Sequence, residues 1–133
     1  NLLATGRGVA EDQPQALAFY RLAAEQGHAK SMNLLGRYLE DGQYCPRDLE
    51  TAVEWYRRSA EAGDFRGQFS YAAVLADRGQ IDAALEWLRK ALAAGNFKFL
   101  RTAHKALARA NDPQIRAMAE AYQGHADQLE KTL

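Results

Sequence analysis

LATGRGVAEDQPQALAFYRLAAEQGHA, running from Leu3 to Ala29, returns 36 residues later as LEDGQYCPRDLETAVEWYRRSAEAGDF, from Leu39 to Phe65. Gly6 falls on Gly42, Asp12 on Asp48, Ala16 on Ala52, Tyr20 on Tyr56 and Gly27 on Gly63. A third copy comes at a shift of 32 residues, taking Ala52 to Ala84, Glu54 to Glu86, Trp55 to Trp87, Gly63 to Gly95 and Phe65 to Phe97. Repetition at this period marks stacked helix pairs, none of which buries its apolar face alone. The fold class expected is all-α, an α-solenoid of antiparallel helix pairs forming one domain over residues 1–133. Within it, 1–28 is an incomplete first repeat, 29–64 the second, 65–96 a third and shorter one, and 97–133 a pair of capping helices. Such arrays present long open surfaces, which points toward binding and away from a closed catalytic pocket.

The second copy shows how one repeat folds. From Ala29 to Asp41 the residues Met32, Leu35 and Leu39 recur at helical spacing, with Leu34 and Tyr38 widening the apolar stripe. Gly36 lies on that stripe and costs about 1 kcal/mol of helix propensity relative to alanine, which implies a helix crossing closely there. Gly42 and Pro46 end this helix, and Asp48 is placed to cap the next, from about Leu49 to Ala62. Asp12, with Gln15 three residues on, repeats the capping pattern weakly. Ala52, Trp55, Tyr56, Ser59 and Ala60 form the packed side of the second helix. Gly63 supplies a left-handed turn, and Asp64 caps the first helix of the third copy. In the last segment Leu100, Ala103, Ala106 and Leu107 continue the first-helix pattern, with His104 at the place of Gly36 and Ala72, so a looser crossing is expected there. Asp112 and Pro113 start a long final helix carrying Ile115, Met118, Ala119, Tyr122, Ala126 and Leu129. The more polar outer face of that helix suits a terminal cap, whereas the N-terminal end should expose apolar surface.

Composition narrows the function. With 17 basic and 17 acidic residues the formal net charge is zero, so neither a nucleic-acid partner nor a strongly charged surface is expected. No apolar run approaches the roughly 20 residues a membrane span needs, so no direct membrane insertion is expected. One cysteine, Cys45, provides no disulfide framework. His28, His104 and His125 are far apart in sequence and no HExxH or Cys/His cluster occurs, so no metal is expected. Gly6-Arg7-Gly8 reads as a repeat loop and not a phosphate cradle. Cys45 reads as a small apolar loop residue, and the Glu40, Asp41 pair as solvated helix-end charges. Trp55, Tyr56, Trp87, Phe19 and Tyr20 read as packing residues. No catalytic constellation and no cofactor site emerge, so the chain is expected not to be an enzyme. A catalytic reading would need a group built around Cys45 or His104.

The run GRGVAEDQPQALAFYRLAAEQGHAKSMNLLG, Gly6 to Gly36, resembles the Sel1-like repeat family, a relative of the tetratricopeptide repeat. It carries the family's LG, Gly-x-Gly-Val loop, Asp, aromatic-Tyr pair and Ala-x-x-Gly-x-Ala pattern. Tyr44 and Cys45 replace the usual Gly and Val, and the third copy shortens its loop to DRGQID. The resemblance covers about Leu2 to Phe97, with the array continuing upstream of residue 1, where any targeting segment would lie. It implies a non-catalytic scaffold whose first helices line a concave groove. Carried onto this sequence, the groove set is Lys30, Asn33 and Arg37, then Arg66, Phe69 and Ala73, then Lys98, Arg101 and Lys105.

That set is rich in cations, while Asp41 and Asp77 gather toward the far end. The expected partner is a protein or extended peptide, acidic or bearing a free C-terminal carboxylate, held by charge-assisted hydrogen bonds. The alternative is a structural arm of a bacterial envelope or exopolysaccharide secretion assembly, with self-association through the uncovered N-terminal repeat. Repeat style and Ala/Arg-rich composition lean toward a bacterial periplasmic or envelope protein.

Overall fold

The computed structural model describes residues 13–133, and among them it forms seven α-helices and no strand. They are α1 (Gln13–Glu25), α2 (Ala29–Asp41), α3 (Leu49–Glu61), α4 (Phe65–Asp77), α5 (Ile81–Ala94), α6 (Phe97–Ala108) and α7 (Pro113–Glu130). The expected cap at Asp12 and the Gly6 to Gly8 loop lie outside the described residues. The other acidic caps form. Asp48 accepts from the Thr51 amide at 3.1 Å and the Thr51 hydroxyl at 2.7 Å, which holds its carboxyl below the usual range. Asp64 accepts from the Arg66 and Gly67 amides, and Asp112 from Gln114 and Ile115, with Pro113 in the first turn of α7. Each satisfies amides that a helix start leaves without intrahelical partners.

Each helix from α1 to α4 packs against its successor, and α2 also touches α4, so the first helices of successive repeats form one side of the stack. Gly36 allows the crossing inside the second repeat: a Cβ there would lie 2.6 Å from Tyr56 Cε1 and 3.2 Å from the Ala52 carbonyl. Two apolar clusters result. One gathers Leu17, Ala24, Met32, Leu35, Leu39, Ala52 and Tyr56. The other is built around Ala72, Leu75, Leu88, Leu100, Leu107, Ile115 and Tyr122, and Tyr71 packs against both. Buried polar side chains lie at the joint of α2, α3 and α4. Ser59 Oγ donates to the Ala29 carbonyl at 2.8 Å, Ser70 Oγ to Asn33 Oδ1 at 2.7 Å, and Gln68 Nε2 to the Ala60 carbonyl at 3.4 Å, with Gln68 Oε1 buried and unpaired.

The cap breaks the repeat geometry. α6 and α7 pack together, but the cap meets α5 mainly through α7, where Tyr122 donates to the Leu88 carbonyl at 2.7 Å. The looser joint therefore falls between α5 and α6, one joint before the crossing expected at His104. Its cause is steric. Where α4 crosses α3, the close approach rests on Gly67, whose Cβ would strike the Ser59 side chain and lie 3.0 Å from the Ala60 nitrogen. The repeat-equivalent residue in α6 is Phe99. Its ring lies over Gly95 and against Phe65, Phe69 and Tyr122, with centroids 4.7, 5.6 and 6.2 Å away. Gly95 itself is extended (φ −71, ψ 149) where Gly63 is left-handed (φ 96), so the chain leaves α5 in a different direction.

Two packing expectations need correction or qualification. Phe19 is 65% exposed, its ring meeting Tyr20 edge-on at 6.1 Å between centroids, whereas its equivalent Trp87 packs on Tyr71 of its own repeat's first helix at 5.7 Å; the first helix of Phe19's repeat lies outside the described residues. Trp55 and Trp87 are half-buried, with Arg58 and Lys90 stacked over their rings at 4.5 and 4.4 Å.

Candidate functional site: the groove along α2, α4 and α6

Three cavities open on the side formed by α2, α4 and α6, and Phe69 lines all of them. They are therefore one continuous groove with three stretches. The first, about 450 Å³, is lined by Arg37, Arg66 and Lys98, by Asn33, Ser70, Asn96 and Thr102, and by the apolar Phe69, Phe99, Ala103 and Ala106. No carboxylate lines it. Arg66 is held with its guanidinium 4.4 Å from the Phe65 ring centroid, which fixes the charge at the groove edge. Asn33 is buried and its Oδ1 accepts from Ser70, so its amide N–H groups are the donors it can offer to the cavity.

The second stretch, about 300 Å³, lies toward the C-terminal ends of α2 and α4 and carries the opposite sign. Glu40, Asp41 and Asp77 line it with Arg37 as their cationic neighbour. Tyr56 forms part of this lining, donating to Glu40 Oε1 at 2.6 Å. Burial, then the hydrogen bond and charge of Glu40, push the Tyr56 hydroxyl far above its usual pKa of 10.0, so it acts as a neutral donor. The third and largest stretch, about 810 Å³, is the wedge left where the cap swings away from α5. Ala72 and Ala76 of α4, Ile81 and Leu88 of α5, Leu107 of α6 and Ile115 of α7 line it, with Asp77, Arg109 and Asp112 at polar positions. Its volume falls in the range of ligand pockets, about 300–1,000 Å³.

Of the residues expected in the groove, Asn33, Arg37, Arg66, Phe69 and Lys98 line the first stretch together, and Ala73 lines the second and third. Lys30 and Lys105 are exposed but line none of the three. Arg101 is a correction. Its Nη2 donates to Asp127 Oδ1 at 3.0 Å and to Glu130 Oε1 at 2.9 Å, and its guanidinium sits 5.1 Å from the Phe97 ring, so it ties α6 to α7. Spacing places residue 101 one turn after Phe97, but the carboxylates it meets come from a helix 26 residues later, which no local pattern reveals. Sequence reasoning also missed the wedge; the signal available was Phe99 at the position of Ser31 and Gly67.

Cys45 lies in the α2–α3 connection, where its thiol donates to the Tyr38 carbonyl at 3.6 Å, apart from the groove. Among the described residues, no group of three or more His, Cys, Asp or Glu side chains is gathered as a metal site requires, and no helix is long and apolar enough to cross a membrane.

The Sel1 repeat family model matches residues 1–28, 29–64 and 73–96. A crystal structure of a Sel1 repeat protein from Oxalobacter formigenes superposes with a TM-score of 0.65 at 26% identity, covering 98% of this chain and 54% of that one. The chitin synthase regulator SKT5 of Malassezia restricta is 41% identical over 56 residues, which is 42% of this chain and 4% of that protein. The chain thus spans a small fraction of that regulator's length and about half of the solved structure's.

Proposed function

The chain belongs to the Sel1 repeat family, whose members are generally protein-interaction scaffolds, and from that premise we propose that it is a non-catalytic adaptor whose groove takes an extended segment of a partner protein. The partner's acidic residue or C-terminal carboxylate is bound by Arg37, Arg66 and Lys98, with Phe69 packing on an apolar side chain. The observation that carries this reading is the stretch of groove lined by these three cations and by no carboxylate. Charges held in place by a ring, as Arg66 is, lose little freedom on binding.

Affinity capture from extracts of the source organism tests it, with the wild-type chain run beside Arg37→Glu/Lys98→Glu. Both residues are exposed, so the thermal midpoint should hold. A partner recovered by wild type and lost by the variant is the expected result; equal recovery by both would reject the groove. Arg101 is unsuited to this test, because reversing it would break the α6–α7 ion pairs.

A second reading, end-to-end docking of copies as a structural arm, is favoured by one observation: Phe19 and Leu22 of α1 are 65% and 57% exposed. Under that reading wild type self-associates with concentration in sedimentation and Phe19→Glu/Leu22→Glu does not.

A further inference from the structure

The groove reverses charge along its length. Arg37, Arg66 and Lys98 line one stretch without a carboxylate; Glu40, Asp41 and Asp77 line the next, against Arg37 alone. Among the described residues, no ion pair involves Asp41 or Asp77. Asp77 also borders the wedge between the third repeat and the cap. That wedge is apolar in its depth, and it exists because Phe99 holds α6 off α5. On its cap side Asp112 is occupied in capping α7, and Arg109 stands at the end of α6.

We propose that the wedge between α4 and α6 is an anchor site for one bulky apolar side chain of the partner segment, with a basic residue of that segment beside it on Asp77 and its acidic end at Arg66 and Lys98. This rests on the reading that the groove takes an extended segment. Charge complementarity sets the occupant: a peptide acidic throughout would carry its charge onto Asp77 and Asp41, and like charges brought together disfavour the complex. Arg66 and Asp77 are eleven residues apart on α4, or about 16 Å at the helical rise of about 1.5 Å per residue. An extended segment covers that distance in about five residues. The recognised segment therefore has an acidic residue and a basic residue about five positions apart, with the apolar anchor near the basic one.

A library of ten-residue peptides displayed on phage, selected on the immobilised 133-residue chain, tests this. The selected peptides should carry that charge order and a Leu, Ile, Phe or Met anchor. Affinity of a selected peptide should fall at least about tenfold with Asp77→Lys and with Ala73→Trp, the size of effect expected at a central contact. Both positions are exposed, so unchanged circular dichroism and thermal midpoint serve as the folding control. Peptides that lose binding with Ala73→Trp but show no basic residue and no response to Asp77→Lys would overturn the basic contact at Asp77. Peptides indifferent to Ala73→Trp but lost with Arg37→Glu/Lys98→Glu would overturn the wedge as anchor and leave the groove standing; no selected peptides, or peptides indifferent to all of these changes, would overturn both. Self-association of wild type abolished by Ala73→Trp would also overturn it, since a second copy would then be the occupant.

Discussion

Tyr44 has φ 60, the left-handed backbone that suits glycine, at the position where the first copy of the repeat carries Gly8. A side chain in that conformation costs about 1–2 kcal/mol, and the Tyr44 ring recovers part of this against Tyr38, 6.4 Å away. Tyr44→Ala keeps the strain and loses the ring; Tyr44→Gly loses both. In urea denaturation the Gly variant should exceed the Ala variant by about 1 kcal/mol, and equal midpoints would contradict the strain. Tyr56 and Tyr122 make a separate demand on the folded state. Burial raises both hydroxyls above 10.0, with Glu40 adding to the effect at Tyr56. Below the unfolded value the proton is present in both states and the stability is complete. Above it the unfolded chain ionises first, so stability falls by about 1.4 kcal/mol per pH unit for each tyrosine. Denaturation compared between pH 9 and pH 11 should therefore show a loss that Tyr56→Phe reduces by one tyrosine's share.

At the scale of elements, the starts of α3, α4 and α7 were legible because each carries its own chemistry: Asp48, Asp64 and Asp112 accept the amides that the sequence assigned to them, whereas His28 before α2 and Gln80 before α5 make no side-chain cap. Side-chain orientation at the joints was less legible, since it depends on which helix lies opposite. Arg101 and Gln68 both occupy expected first-helix positions, yet one reaches carboxylates of α7 and the other is buried with Oε1 unpaired. The residues equivalent to Gln68 are Met32 and Leu100, 5% and 0% exposed. An unpaired buried polar atom costs about 1–3 kcal/mol. Gln68→Leu should accordingly stabilise the chain by about 1–2 kcal/mol in urea, with loss of stability contradicting that view of the joint. The separation of α5 from α6 has the same origin. A glycine kept at residue 95 permits either a left-handed or an extended turn, and Phe99 decides which.

Across the whole molecule, the repeat period determines that first helices share one side, and this is why five of the expected residues converge on one stretch of groove. The groove's two signs of charge follow the repeat, with Asp41 and Asp77 at equivalent helix ends and Arg66 and Lys98 at equivalent helix starts, whereas its apolar wedge comes from a departure, a cap displaced by one aromatic ring. A perfectly regular array would have no such wedge. The scaffold reading thus places recognition where the repeats are least alike, around Phe69, the residue common to all three stretches. Backbone amide chemical shifts of the labelled chain, titrated with a peptide selected on it, test the use of this face most directly. Shifts concentrated at residues 33–41, 66–77 and 98–113 are the expected result; shifts confined to α3 and α5, with the groove unmoved, would contradict it.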